Sequence, residues 1–213
     1  MQNLIRWVAT LFFVLAAQGV MAQQTFTKTL LGSTGPYDTN EVVTYRLQGS
    51  CNNLVSGCGT LRIEDAFPAE LVVANCPSSA FFNTITCTPG TNTLVMVRNS
   101  YAGGDSFSLD VDLRVIPSIT VNVSDVVNRA VAGISGVVCP PPPQNTVVGG
   151  PRLPLPADTA TCAHAEAAPI SVVAPTPQYA VTKQRLDPAP PLTVVAGEAV
   201  TYRVRICPTS TTG

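Results

Sequence analysis

The 213-residue chain contains a single His, His164, and a single Trp, Trp7. One imidazole leaves little scope for a His-based metal site or a Ser-His-Asp triad, so an ordinary hydrolase is not expected. Charged residues make up only 12% of the chain, and a net charge of -1 supplies no basic surface for nucleic acid or anionic lipid. The sequence therefore predicts a non-enzymatic protein that needs no cofactor or metal and binds no nucleic acid.

Long apolar runs are also absent, apart from one at the amino terminus. Residues 1–22 hold Arg6, an apolar core from Trp7 to Val20 and the small-x-Ala pattern Val20-Met21-Ala22. This arrangement is typical of a cleaved signal peptide, and an uncleaved membrane anchor is the alternative. We expect a mature chain that begins near Gln23, is exported to the cell surface or the extracellular space, and does not insert into a membrane.

A seven-residue motif occurs twice in the chain. Glu-Val-Val-Thr-Tyr-Arg-Leu at 41–47 returns as Glu-Ala-Val-Thr-Tyr-Arg-Val at 198–204, with five of seven positions identical. A segment with one lysine, Lys28 or Lys183, precedes each copy. Apolar residues alternate with polar ones in both copies, which predicts half-buried β-strands.

The same alternation continues along much of the chain up to residue 136. Residues 107–115 alternate strictly between apolar and polar side chains, and Gly, Pro, Asn and Ser separate the other short apolar runs. About eight short strands at this spacing predict an antiparallel β-sandwich over residues 23–136. The other runs lie at 60–64, 70–74, 81–86, 93–98 and 125–131.

Residues 137–178 have a different composition, with ten of the nineteen prolines. Proline favours extended, semi-rigid backbone, so we expect a linker between two modules. The alternative is that part of it, such as 170–174, is an edge strand of the next module. Residues 179–213 then form the start of a second, similar module, which is too short to bury a core of its own.

The seven cysteines include no C-x-x-C pair, which argues against a metal site. In an exported chain we interpret them first as disulfides. Cys207 remains unpaired; it follows the second motif copy as Cys51 follows the first, so its partner belongs either to a longer repeat protein or to another chain. The expected pairs are Cys51–Cys58, Cys76–Cys87 and Cys139–Cys162.

Five short motifs follow one another through the first domain. They are Lys28; Asn40-Glu41-Val42-Val43-Thr44-Tyr45; Ile63-Glu64-Asp65-Ala66-Phe67-Pro68-Ala69-Glu70-Leu71; Gly104; and Val127-Asn128-Arg129-Ala130-Val131. In this order they resemble the DUF11 repeat of bacterial surface proteins, over about residues 26–136 and again from 180. The resemblance implies an immunoglobulin-like sandwich in an exported, multi-module surface protein with an adhesive or structural role.

Three of these residues, Lys28, Asp65 and Asn128, are similar in order to the intramolecular isopeptide domains of bacterial fimbrial and adhesin proteins. In that chemistry a dry interior neutralises the amine and protonates the acid, so that the amine can attack the Asn carboxamide. The alternative is structural: a solvated strand lysine, a turn aspartate and a strand-edge amide.

Carbohydrate binding, or an accessory role in a larger secreted enzyme, is the rival function. A sugar-binding platform needs exposed aromatic rings, and after export these are limited to Tyr37, Tyr101, Tyr179 and the Phe residues. The sequence names no ligand. The expected partners are an unidentified surface ligand or neighbouring repeat modules.

Overall fold

The computed structural model describes residues 23–176, 179–187 and 193–208. The expected signal peptide, 1–22, lies outside the described residues. The chain divides into two units, one ending at Ala174 and the other starting at Pro175. Within the described ranges no helix is long and apolar enough to cross a membrane.

Eleven strands build the described part of the first unit, from residue 23 onward. One sheet has the order β1-β2-β7-β4 and a second has the order β10-β9-β3-β6-β5, with antiparallel neighbours throughout. The all-β, immunoglobulin-like antiparallel sandwich is therefore confirmed. The strands are β1 (Gln24–Leu31), β2 (Val42–Cys51), β3 (Gly59–Ala66), β4 (Leu71–Asn75), β5 (Thr84–Cys87), β6 (Thr93–Tyr101), β7 (Ser106–Val115), β8 (Val123–Val126), β9 (Arg129–Gly133), β10 (Cys162–Glu166) and β11 (Ile170–Val172).

Sequence alternation decides which face of each strand lies in the core. Along β7 the apolar residues from Phe107 to Val115 are buried, while the Ser and Asp residues between them face outward. In β2 the side chains of Val43, Tyr45 and Leu47 are buried in the same way. Because side chains alternate across a strand, one register buries the whole apolar set, and burial of this apolar area is the main stabilising contribution.

The structure corrects the expected linker. β10 pairs with β9 and β11 pairs with β8, so this segment completes the first sandwich instead of separating two modules. Both strands are proline-free stretches within a proline-rich region, and proline, which lacks an N–H, stays in the loops between them. The sandwich thus extends past 136 to Ala174, and 170–172 is a strand of the first unit, not of the next.

The single strand expected at 125–131 is divided in two. Asp125, inside β8, has a φ of +67°, a left-handed conformation that departs from extended strand geometry. β8 ends at Val126 and β9 begins at Arg129 in a different sheet. Asn128 therefore lies at the crossing between two sheets and not on the last strand.

Three disulfides form in the first unit, with the pairing expected from the sequence. Their Cα–Cα distances of 5.8, 5.6 and 5.8 Å lie within the normal range. The pair Cys139–Cys162 ties the start of the proline-rich segment to β10 and so holds that segment against the sandwich. Cys207 is exposed, with a free thiol.

In the described part of the second unit, β12 (Tyr179–Asp187) and β13 (Thr201–Pro208) form one hairpin. The strands are antiparallel, with Lys183 opposite Val204. The assignment of this unit to a second repeat remains a prediction. The hairpin also corrects the expected equivalence of Cys207 and Cys51. Lys28 is opposite Leu47 and Lys183 is opposite Val204. Cys207 follows Val204 by three positions, as Ser50 and not Cys51 follows Leu47.

Candidate functional site

Three of the few buried polar side chains in the described residues are those of the expected constellation. Lys28 is 3% exposed, and Asp65 and Asn128 are 0% exposed. Lys28 is thus not a solvated strand residue, and Asp65 is not an exposed turn residue. We refer to Lys28, Asp65 and Asn128 as the buried trio.

Strand geometry brings Lys28 and Asp65 together from opposite sheets. Lys28 lies in the middle of β1 on the inward side, since the Thr residues on either side of it face outward. Asp65 lies on β3 in the facing sheet, continuing the inward series of Leu61 and Ile63. The two side chains therefore point at each other across the interior of the sandwich.

Asn128 is buried just before β9, the strand that pairs with the β3 strand of Asp65. Asp65 is opposite Ala130 in the register between β3 and β9, and Asn128 lies two positions before Ala130. The carbonyl of Asn128 accepts a hydrogen bond of 3.0 Å from the backbone N–H of Ala167, which fixes the chain at the crossing. This bond depends on the segment just after β10, so the proline-rich region helps to place Asn128.

The amine of Lys28 has one polar partner and two aromatic neighbours. Its Nζ donates a short hydrogen bond of 2.5 Å to Oδ1 of Asp65. The same Nζ lies 5.4 Å from the ring centroid of Tyr45 and 5.7 Å from that of Phe67. The amine is therefore held in a dry, largely apolar space with a single carboxyl group.

Burial favours the neutral form of both groups in this pair. Desolvation lowers the pKa of Lys28 from 10.5 to about 8, against the opposing attraction of Asp65. Desolvation also raises the pKa of Asp65 above its usual value, although the neighbouring Lys28 acts in the other direction. A proton that moves from the ammonium to the carboxylate removes both charges from a site that is not exposed to solvent.

The remaining polar atoms of the trio have no hydrogen-bond partner among the residues that the structure describes. These are Oδ2 of Asp65 and both Oδ1 and Nδ2 of Asn128, all buried. An unsatisfied buried polar group costs about 1–3 kcal/mol, so native proteins keep few of them. The carboxamide of Asn128 is therefore a buried electrophile whose two polar atoms are not engaged in hydrogen bonds.

Sequence reasoning identified the trio but missed the rings that surround its amine. Tyr45 belongs to the repeated motif and Phe67 follows Asp65 by two positions, yet neither position indicates contact with Lys28. One unused signal was the basic composition. The chain has only two lysines against ten arginines, and only lysine can become a neutral nucleophile.

Of the tyrosines expected to serve the rival, carbohydrate-binding function, Tyr179 is 61% exposed, whereas Tyr101 is not. Tyr101 is 1% exposed and packs with Phe81 and Phe107, so it cannot stack on a sugar. No group of three or more His, Cys, Asp or Glu side chains in the described ranges is placed to hold a metal ion. The buried trio is therefore the candidate site.

No family model matches the chain, and no curated protein matches it. Among solved structures, a variant of BcpA, the major pilin subunit of Bacillus cereus, is 12% identical over 87% of this chain and 55% of that one, with a TM-score of 0.49. The major pilin SpaD of Corynebacterium diphtheriae is 14% identical over 76% of this chain and 37% of its own, with a TM-score of 0.40. The collagen-binding domain of a Staphylococcus aureus adhesin is 14% identical over 67% and 95%, with a TM-score of 0.38. This chain spans about half the length of the BcpA subunit.

Proposed function

We propose that the chain is an exported, non-enzymatic structural or adhesive module of a cell-surface protein, in which an amide bond joins Lys28 to Asn128. The observation that supports the proposal is the burial of a lysine bonded to a carboxyl group, together with an unpartnered buried carboxamide just before the strand that pairs with β3. Its partners are neighbouring modules and a surface ligand that the residues do not identify.

The reaction uses only groups that the chain supplies. The neutral Nζ of Lys28 attacks Cγ of Asn128, while protonated Asp65 donates a hydrogen bond to Oδ1 and stabilises the developing oxyanion. A new C–N bond forms, the bond from Cγ to Nδ2 breaks, and Nδ2 leaves as ammonia with its own two hydrogens and the one proton that the neutral amine gives up. No oxidant, cofactor or water is consumed, and Asp65 ends as it began.

Such a bond would join the two sheets near the amino-terminal end of the module. β1 belongs to the sheet with β2, and Asn128 adjoins β9 in the facing sheet. A force applied along the chain would otherwise strip β1 from β2 one hydrogen bond at a time. With the covalent link, the chain between the two residues could not extend, which suits a module in a surface shaft or stalk.

We further propose that the module is a DUF11-type repeat. Before the first motif copy this chain has Asn40 where the family pattern has Gly. Before the second copy it has Gly197, which matches the family pattern. Asn40 and Gly197 have φ values of +69° and +95°, a region open to Gly and tolerated by Asn. The departure is therefore compatible with the same turn before each motif.

The first test is the intact mass of the mature chain after reduction and alkylation. The proposal predicts a mass one ammonia below the sequence mass. Because an amino-terminal Gln such as Gln23 can also lose ammonia on cyclising, the control is Lys28→Arg, which keeps the charge but removes the nucleophile. A digest that separates Gln23 from Lys28 assigns the loss.

In the Lys28→Arg variant, the peptide at position 28 should no longer show the loss of one ammonia. The Lys183→Arg variant should still show that loss. Asp65→Ala should slow or abolish the bond, because the carbonyl of Asn128 then lacks its acid. A folded wild-type chain with three disulfides and an unmodified Lys28 peptide would refute the proposal.

A further inference from the structure

The proline-rich segment of the first unit contains an exposed apolar stretch. Residues 151–156 have the sequence Pro-Arg-Leu-Pro-Leu-Pro and form neither helix nor strand. Pro151, Pro154 and Pro156 are exposed, and Leu155 is 38% exposed. We call residues 151–156 the proline ridge. Most of its outer surface is apolar although it faces solvent.

Proline restricts the backbone of this ridge. Each proline holds its own φ at about −65°, and the residue before a proline prefers an extended conformation. Every ridge residue except Arg152 is either a proline or directly precedes one. These restrictions favour a polyproline II helix, in which three residues make one turn, so that Pro151 and Pro154 lie on the same edge.

Charged side chains of the first unit hold the ridge in place. The guanidinium of Arg129, which is 3% exposed, donates a hydrogen bond of 2.5 Å to the carbonyl of Leu153. Arg152 forms ion pairs with Glu166 and, at 3.6 Å, with Asp125. A surface that is already held in one conformation loses little conformational entropy when a partner binds to it.

These contacts leave the outer side of the ridge free to bind a partner. Among the described residues, none forms a hydrogen bond with the backbone of Pro154, Leu155 or Pro156. Their carbonyl oxygens therefore remain available as acceptors. The charge of Arg152 is already matched by its two carboxylates, so a partner needs no acidic group of its own.

The earlier run of prolines, at 140–143, differs from the ridge. Pro142 is buried, and the half-buried Pro143 accepts a hydrogen bond of 3.0 Å from Arg129 through its carbonyl. This run therefore packs against the sandwich at its carboxyl end, and only Pro140 and Pro141 are exposed. It does not present two exposed prolines one turn apart, as the ridge does.

We propose that the proline ridge is a docking site for a partner protein with a groove lined by aromatic side chains. The rings of the groove pack against the exposed prolines, and the indole N–H of Trp or the hydroxyl of Tyr donates to the free carbonyls. Pro151 and Pro154 have the Pro-x-x-Pro spacing that such grooves bind. The inference does not depend on the amide bond between Lys28 and Asn128.

The test selects binders of the mature chain from a phage library of random, disulfide-closed peptides. We expect the enriched peptides to contain Trp or Tyr. A selected peptide should bind the variant Pro151→Ser/Pro154→Ser about tenfold more weakly than the wild type, because the variant lacks both rings. The matched control, Pro140→Ser/Pro141→Ser, changes two exposed prolines outside the ridge and should bind as tightly as the wild type.

Two further measurements make the outcome decisive. Guanidinium unfolding should give the same midpoint for both variants as for the wild type, which shows that they fold. In NMR titrations of the wild type with the selected peptide, the amide signals of Arg152, Leu153 and Leu155 should shift. Enriched peptides without aromatic residues, equal affinity for the two variants, or no enrichment at all would overturn the inference.

Discussion

Replacing Asn128 with alanine distinguishes the covalent account from a noncovalent one by the sign of the stability change. Both polar atoms of the Asn128 carboxamide are buried without a partner. If no bond forms, Asn128→Ala removes two unsatisfied groups and should be neutral or stabilising, because each relieved group is worth about 1–3 kcal/mol. The Lys28–Asp65 pair keeps its hydrogen bond in either case.

If the bond forms, the same substitution opens a covalent loop of about 100 residues between positions 28 and 128. Closing a loop of that length restricts the unfolded chain by about 4.7 kcal/mol in the chain-entropy treatment of cross-links. For a unit of this size, the loss corresponds to a fall in Tm of about 10–20 °C. The covalent account therefore predicts a large destabilisation where the noncovalent account predicts none.

The assay is thermal and guanidinium unfolding of the mature chain with its disulfides intact. A double-mutant cycle with Lys28→Met isolates the bond, because Asn128→Ala should cost nothing further once the amine is absent. An Asn128→Ala variant as stable as the wild type, or more stable, would refute the reasoning. So would an equal effect of Asn128→Ala in the two backgrounds.

Three further predictions concern the same unit. Before linkage, stability should rise with pH between about 8 and 10.5, since the unfolded chain binds the lysine proton more tightly; a fall in unfolding midpoint over that window would count against it. The double variant Cys139→Ser/Cys162→Ser should lose about 3 kcal/mol in guanidinium unfolding for its 23-residue separation, and an unchanged midpoint would show that the segment is held without the disulfide. Arg129→Ala should lose about 3–5 kcal/mol, because the buried guanidinium bonds Glu166 and two backbone carbonyls, whereas Arg46→Ala should leave the midpoint unchanged; similar effects would refute the contrast.

The sandwich was predictable because its strands alternate so regularly. Along residues 107–115 every second side chain is apolar, and a single register buries all of them. Cysteine spacing was equally informative, since each expected pair closes a short loop. The local sequence pattern was therefore enough to predict the strands and the disulfides, which depend on residues that lie close together in the sequence.

Long-range pairing was not predictable in the same way. Nothing in the local pattern of 162–166 or 170–172 shows that these stretches add to sheets begun more than thirty residues earlier, and the prolines around them suggest a linker. Only tertiary packing decides whether such short strands form. The extension of the sandwich to Ala174 follows from that packing.

The burial of Lys28 was hidden for a related reason. Its position on the inward side of β1 follows from alternation, but a lysine at such a position can usually reach solvent with its long side chain. The structure closes that route with the rings of Tyr45 and Phe67. The order of the trio along the chain could be predicted from sequence, but its burial away from solvent could not.

The most direct test of the covalent clamp is to pull the mature module by its two ends and measure the released length. With Lys28 joined to Asn128, about 100 residues cannot extend, so under reducing conditions the wild type should release roughly 330–360 Å less chain than Lys28→Arg. Equal contour lengths for the two proteins would contradict the account, because no bond would then span the two sheets.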